Sequence, residues 1–413
     1  MKKSLFNNKL PSNWEWVILD ELLIEKPCNG LYKSANFIGK GTLFLDINGL
    51  YKGLTADFSQ ARRVEITENE CRQYELVKGD ILFNRVSKMP EGVGKAVAVG
   101  ELQEAAVYES NMIRVRLNKQ RVDSLFVVNY LSTNRSRQEL LSKANISNQA
   151  SINQQAIKSL AIPLPPITEQ RRILTILDRA QSLISKRREA IGQLDTLTQA
   201  IFIEMFGDPV TNPKGWDMGK TLGDVAELVS GITKGRKLNG KVVREIPYLA
   251  VVNVQDRRLD LTIIKTIEAT EDEISRYKLQ VNDLLLTEGG DPDKLGRGTL
   301  WNGELPECIH QNHIFRVRIT LNLIHPLFLI WLIGSQRGKK YFLKQAKQTT
   351  GIATINMTQL RGFSLLIPPL SLQKEFADRI EAVEKLKAAH RASLSELHAL
   401  FASLQHRAFR GEL

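Results

Sequence analysis

Two rhythms of apolar residues alternate along this chain. Asp80-Ile81-Leu82-Phe83, Ala96-Val97-Ala98-Val99 and Met112-Ile113-Arg114-Val115-Arg116 are short apolar or β-branched runs bounded by Gly, Asn, Glu and Pro, and each predicts a strand. Spacing of three and four predicts helix from Leu125 to Ala144. Beyond Ile162-Pro163-Leu164-Pro165-Pro166 the helical rhythm returns and runs much further. Ile173, Ile176, Leu177, Ala180, Leu183, Ile184, Ile191, Leu194, Leu197, Ile201 and Met205 share one face, with Arg172, Arg179, Arg188 and Asp195 off it. Thr168 suits the N-cap, just after prolines that forbid an earlier start, and Gly207-Asp208-Pro209 supplies the stop.

The whole succession then repeats. Asp283-Leu284-Leu285-Leu286-Thr287, Gly298-Thr299-Leu300-Trp301 and Ile314-Phe315-Arg316-Val317-Arg318 mirror the strands, Leu327 to Ala346 the helical stretch, and Leu365-Leu366-Ile367-Pro368-Pro369 the proline segment. Phe376, Ile380, Val383, Leu386, Leu394, Leu397, Leu400 and Phe401 form the second long stripe, with Ser371 as its N-cap and Gly411 as its stop. Pro11 and Pro213 stand 202 residues apart, Asp80 and Asp283 stand 203 apart, so the copies align with one-residue gaps that belong in loops. That period is a whole domain plus a connector, which excludes a short-period solenoid.

The expected fold is therefore α+β: two similar globular domains, 1–167 and 210–370, separated by two long helices, 168–209 and 371–413, pairing as an antiparallel coiled coil. A helix from Glu169 to Phe206 would be about 57 Å long at about 1.5 Å per residue. No small domain buries such a helix whole, and the only segment of similar length is its own repeat. The alternative is that each helix packs on its own domain as an ordinary core helix.

Charge adds a partner class. Lys and Arg number 57 against 45 Asp and Glu, a formal +12 with a pI near 9.5. Such an excess favours a polyanion through counterion release. Two versions of one module also suit a partner with approximate two-fold symmetry, of which duplex DNA is the commonest. Cys28, Cys71 and Cys308 are scattered and form no zinc spacing, no run approaches 18 apolar residues, and Met1 to Asn8 lacks a signal-peptide core. The expectation is a cytoplasmic protein with no membrane contact, no metal and no cofactor.

Pro163-Leu164-Pro165-Pro166-Ile167-Thr168-Glu169-Gln170-Arg171-Arg172-Ile173 resembles the opening of the central conserved helix in the specificity subunits of Type I restriction-modification systems. Phe206-Gly207-Asp208-Pro209-Val210-Thr211-Asn212-Pro213-Lys214-Gly215-Trp216 is similar to that family's junction into its second target recognition domain. Asp80 to Arg85 and Thr287 to Arg297 are similar to segments common in those domains, so the resemblance covers the chain in order. It implies a subunit reading a bipartite double-stranded DNA sequence, with the helices as a ruler. It also implies two adenine-N6 methyltransferase subunits held on those helices, and translocating endonuclease subunits completing the complex.

Base readout needs paired donors and acceptors, and the places to look are loops where the copies differ while their flanks agree. After the strand at Asp80 comes Asn84-Arg85-Val86-Ser87-Lys88, against Thr287-Glu288-Gly289-Gly290-Asp291. Arg85 and Lys88 suit guanine or phosphate, and Glu288 suits the amino group of cytosine. Different chemistry on a shared frame predicts an asymmetric target. Ser110 and Asn111, set against Gln311, Asn312 and His313, form a second cluster before a strand in each copy; the amides suit adenine or a turn equally. Lys234, Arg236 and Lys237, in a loop lacking a counterpart in the first copy, suit phosphate, and Lys95, Lys294 and Arg297 are further DNA-binding candidates. Asn148 and Gln149 complete the set. Beside each stands an ordinary surface or turn role.

Catalytic signatures are missing. There is no Asn-Pro-Pro-Tyr or Asp-Pro-Pro-Tyr, no phosphate-binding Gly-x4-Gly-Lys loop and no His-Glu-x-x-His, and His310 and His313 read as neutral surface histidines without a completing metal set. The chain is expected not to be an enzyme. A coiled-coil scaffold gripping proteins through two non-DNA-binding modules is the competing reading.

Overall fold

The computed structural model describes residues 10–238, 240–291, 295–349 and 352–413, the side chains of 348, 349 and 352 excepted. Two compact units emerge, one formed by residues 1–188 with 392–413, the other by 189–391. Each therefore contains one globular copy with a half of each long helix.

In the first unit a four-stranded sheet runs in the order Cys28–Asn29, Met112–Arg116, Asp80–Asn84, Ala96–Ala98. A second sheet has Ile38–Leu45 between Arg62–Val64 and Ala106–Tyr108, the last pairing parallel. The second unit reproduces both: Ala226–Ser230, Ile314–Ile319, Leu284–Thr287, Gly298–Leu300 in one sheet, and Arg244–Leu249 between Lys265–Ala269 and Ile309–His310 in the other. One close approach recurs as well. A Cβ on Gly30 would meet the Glu109 carbonyl oxygen at 2.1 Å and one on Gly231 the His310 carbonyl oxygen at 2.0 Å, so both copies require glycine there.

The matched Arg-Val-Arg strands fix each sheet through charge. Arg116 donates twice to Asp80, at 2.7 and 2.8 Å, and Arg318 donates twice to Asp283, both at 2.7 Å. Both carboxylates are buried and also accept a backbone N–H, from Val77 and Gln280. Arg114 pairs with Glu25 at 2.7 Å and Arg316 with Glu227 at 3.0 Å. These arginines hold architecture and are spent.

Helices depart from the expectation in their details. The stretch from Leu125 splits into Ser124–Leu131 and Asn134–Ser142 because the Thr133 hydroxyl caps the second, and its counterpart splits into Pro326–Gly334 and Gln336–Gln345. The long helices span Ile167–Phe206 and Leu370–Ala408. Thr168 and Ser371 are thus inside the first turn rather than N-caps; the carbonyls of Pro166 and Pro369 accept the first helical N–H groups instead. Gln170 and Gln373, fully buried, then staple each start. Gln170 accepts from the Asp123 N–H and donates to the Pro165 carbonyl, and Gln373 does the same with His325 and Pro368. The segment before the prolines is a strand, Ala161–Leu164, paired antiparallel with Glu15–Ile18.

Within each unit the two helix segments run antiparallel. In the first, Arg172 donates to the Leu413 carbonyl and Arg188 meets His398 at 3.2 Å, while Phe409 seats its ring 5.2 Å from Phe126. In the second, Asp195 pairs with Lys387 at 2.6 Å, and Phe202, Phe206 and Phe376 close an aromatic cluster with Phe328 and Trp331. No described helix is long and apolar enough to cross a membrane.

One core position is chemically unequal. Tyr108 of the first unit donates its hydroxyl to the Cys28 carbonyl, whereas the matching His310 is fully buried, not on the surface as expected. Its Nδ1 lies 3.0 Å from the Ile314 carbonyl oxygen and its Nε2 has no partner among the described residues. Burial pushes its pKa down to about 4. The folded ring thus resists a proton that the unfolded chain takes up below about pH 6.5, so stability is intact above that pH and is lost as pH falls towards 4. The loss amounts to roughly 3 kcal/mol. The protection factor of the Arg244–Leu249 strand, taken relative to the intrinsic exchange rate at each pH, is expected to fall from pH 7 to 5, and His310→Gln to abolish that fall; a protection factor unchanged with pH would refute the assignment.

Candidate nucleic-acid interface

The strands Asp80–Asn84 and Leu284–Thr287 end in the same backbone knot. Just past the first, the Arg85 N–H donates to the Asn111 carbonyl (2.8 Å) and the Arg85 carbonyl accepts from the Ile152 N–H (2.9 Å). Past the second, the Glu288 N–H donates to His313 (3.0 Å) and its carbonyl accepts from Ile355 (2.9 Å). Strand Val86–Ser87 then pairs with Ala150–Ser151, itself paired with Asn145–Ile146; Gly289–Gly290, Ile352–Thr354 and Lys347–Thr349 repeat that arrangement. Three clusters far apart in sequence are thereby joined. Arg85 with Lys88, Asn111, and the hairpin bearing Asn148 and Gln149 meet in the first unit, and Glu288 meets His313 in the second.

The knots share a frame and differ in charge. Arg85 has a buried Nε with no partner among the described residues and lines a cleft of about 720 Å³ with Asn29, Lys143, Asn145, Asn153 and Gln154. The half-buried Arg85 side chain lines that cleft with guanidinium donors of the kind that base edges and phosphates accept. Glu288 places its carboxylate 2.6 Å from His313 Nδ1, with His313 exposed.

Several expected contacts are corrected. Asn84 is fully buried and gives both amide hydrogens away, to Tyr51 Oη and the Gly92 carbonyl, each at 2.8 Å. Thr287, at the equivalent strand end, is buried with its hydroxyl 3.4 Å from the Arg297 carbonyl. Neither side chain is free for a base: in the first copy the strand runs one residue beyond the apolar run ending at Phe83, and in the second Thr287, the expected strand end, turns its hydroxyl inward. Arg236 is bound bidentately by Glu273 at 2.5 and 2.7 Å, which holds that carboxyl down to about 2. Its loop also has a first-copy counterpart, since Lys33 pairs with Glu70 at 2.8 Å and both glutamates close a capping box. This ion pair is shared framework.

The remaining candidates are dispersed. Lys88, Asn111, Asn148, Gln149, Lys234, Lys237 and Asp291 are exposed, and Lys234 lies 5.1 Å over the Tyr248 ring. Lys95 is half-buried with its ammonium 4.5 Å over the Tyr51 ring, and burial together with the Arg137 charge pulls its pKa down. Ser110, Gln311, Asn312 and Arg297 are half-buried, Arg297 donating to Gln255 at 3.3 Å. Lys294 lies outside the described residues. Asn29, Lys143, Asn145 and Gln154 were not singled out from the sequence. Asn145 stands opposite Lys347 in the aligned copies, and that difference was the available signal. Among the described residues no group of three or more His, Cys, Asp or Glu is placed to hold a metal ion.

Known proteins are similar to this chain in sequence and in overall fold. The chain is 25% identical over 288 residues to the Type I restriction enzyme StySPI specificity subunit of Salmonella potsdam, covering 65% of this chain and 60% of that one. It is 23% identical to the EcoKI specificity subunit of Escherichia coli (strain K12), over 70% of this chain and 65% of that one. These matches span somewhat under two thirds of either relative's length. In fold, the chain is similar to one from a type I R-M system assembly (TM-score 0.62, 17% identity, 98% of this chain and 100% of that). It is also similar to the S subunit of a Type-I restriction-modification system from M. genitalium (TM-score 0.52, 15% identity, 98% and 97%). The Type I restriction modification DNA specificity domain matches residues 11–193 and again 213–399. The chain belongs to that specificity-domain family and carries its domain twice.

Proposed function

We propose that this chain is the non-catalytic sequence-specificity subunit of a Type I restriction-modification complex acting in the cytoplasm. Each unit reads one half of an asymmetric, bipartite duplex target. The paired helices set the unspecified spacer and dock two methyltransferase subunits, to which endonuclease subunits are added. The observation that carries this reading is the repeated backbone knot bearing Arg85 in one copy and Glu288 in the other, an acceptor-seeking and a donor-seeking group at one position of a shared frame. A protein-gripping scaffold would have no need of opposite chemistry at matched sites.

Inserting seven residues, about two turns, into both long helices tests the ruler. The insert adds about 10.5 Å at about 1.5 Å per residue, or about 3 base pairs of spacer at about 3.4 Å each. Methylation mapping is expected to return the same two half-sites further apart. Changed bases within a half-site would sink the ruler role.

A further inference from the structure

Following helix Pro326–Gly334 and leading into the strand Lys347–Thr349, the segment Gln336–Lys347 holds five cations and no carboxylate: Arg337, Lys339, Lys340, Lys344 and Lys347. Lys339, Lys340 and Lys344 fall within roughly 140° of arc on helix Gln336–Gln345 at about 3.6 residues per turn, opposite the buried Phe342. All four lysines are exposed, and no carboxylate of a described residue lies within ion-pair distance of them. Lys347 sits in one cross-strand row with Thr354 and Gly289, next to Glu288.

The first copy is built differently. Its matching segment, Asn134–Asn145, has three cations and a carboxylate, and each cation is engaged internally. Arg137 donates to the Glu91 and Val93 carbonyls, Arg135 lies 5.5 Å over the Trp16 ring, and Lys143 donates to Ser159. Lys339, Lys340, Lys344 and Lys347 align with Arg137, Gln138, Ser142 and Asn145. The flank's charge thus rises where the knot's charge turns negative. A carboxylate presented to DNA is repelled by the phosphates, and surrounding ammonium groups offset that repulsion.

We infer that Lys339, Lys340, Lys344 and Lys347 form a phosphate-binding ridge belonging to the second unit alone, so that the two half-sites are held by different physics. The first unit holds its half-site chiefly through amides and Arg85 in a cleft. The second anchors the backbone electrostatically so that Glu288 can approach base amino groups. This inference rests on the proposed DNA-reading function.

The test is the affinity of the full-length chain for a random-sequence 30-base-pair duplex between 50 and 200 mM salt. Each phosphate contact contributes roughly 0.9 to the slope of log affinity against log salt. The triple change Lys339→Gln, Lys340→Gln and Lys344→Gln is expected to lower that slope by about 2–3, so that the unchanged chain loses about 40-fold more affinity across the range. Arginine at the same three positions should retain the slope, and a charge-matched triple of exposed lysines elsewhere, Lys40, Lys186 and Lys265 to Gln, should move it by less than about 1. Equal effects of the two glutamine triples, or loss of the slope with arginine, would overturn the ridge and leave the DNA reading standing. Failure of the unchanged chain to bind any duplex at 50 mM salt would instead overturn the DNA reading.

Discussion

An Asp283→Ala chain is expected to unfold its second unit with about 2–4 kcal/mol less free energy than the unchanged chain. The carboxylate is 1% exposed and serves three donors at once, two from Arg318 and the Gln280 N–H, each at 2.7 Å. Removing it strands a guanidinium beside the sheet and leaves a backbone donor without its acceptor. The expected loss stays below that of a wholly buried pair because the Arg318 side chain keeps 25% exposure and can recover some hydration. Asp283→Asn, which retains an acceptor for Gln280, should cost less than Ala. Urea unfolding followed by hydrogen exchange of strand Ile314–Ile319 measures both, and a change under about 0.5 kcal/mol for Ala would show that the pair holds little.

Arg85→Ala is expected to reduce methylation of the native target by 10- to 100-fold, the equivalent of losing about 1–3 kcal/mol of base discrimination, while leaving the fold intact. The Arg85 backbone keeps both its bonds, to Asn111 and Ile152, whatever side chain it carries. Glu288→Ala should act likewise on the other half-site, since Glu288 is held by main-chain bonds to His313 and Ile355. Each change is expected to relax one half of the target only. Site-resolved methylation at both halves distinguishes this from a general loss of affinity.

The duplication was legible because matched residues do matched work. Arg116 with Asp80 and Arg318 with Asp283 close the same ion pair, and Gly207 and Gly411 take positive φ, 78° and 72°, just past the helix ends. Partners distant in sequence were not legible. Arg236 reads as a free loop cation until Glu273 closes on it across 37 residues. The proline segment shows no strand pattern of its own, and only its pairing with Glu15–Ile18 makes Ala161–Leu164 a strand. Asn84 looks like a loop residue because a polar side chain follows the apolar run, yet a strand's last residue can point inward when a carbonyl or hydroxyl waits for it. Conversely, the knot that gathers Arg85, Asn111 and the 145–151 hairpin is made of backbone bonds, which leave no trace in side-chain pattern.

Two units on one frame, each reading a different half-site, would leave a two-part mark in the methylome. Mapping of methylated adenines in cells expressing the chain with the proposed methyltransferase partner tests it most directly, run for the unchanged chain and for the Arg85→Ala and Glu288→Ala chains. One asymmetric motif in two parts with a fixed gap is expected, each substitution relaxing a different part. A single uninterrupted motif, or the same part relaxed by both substitutions, would contradict it.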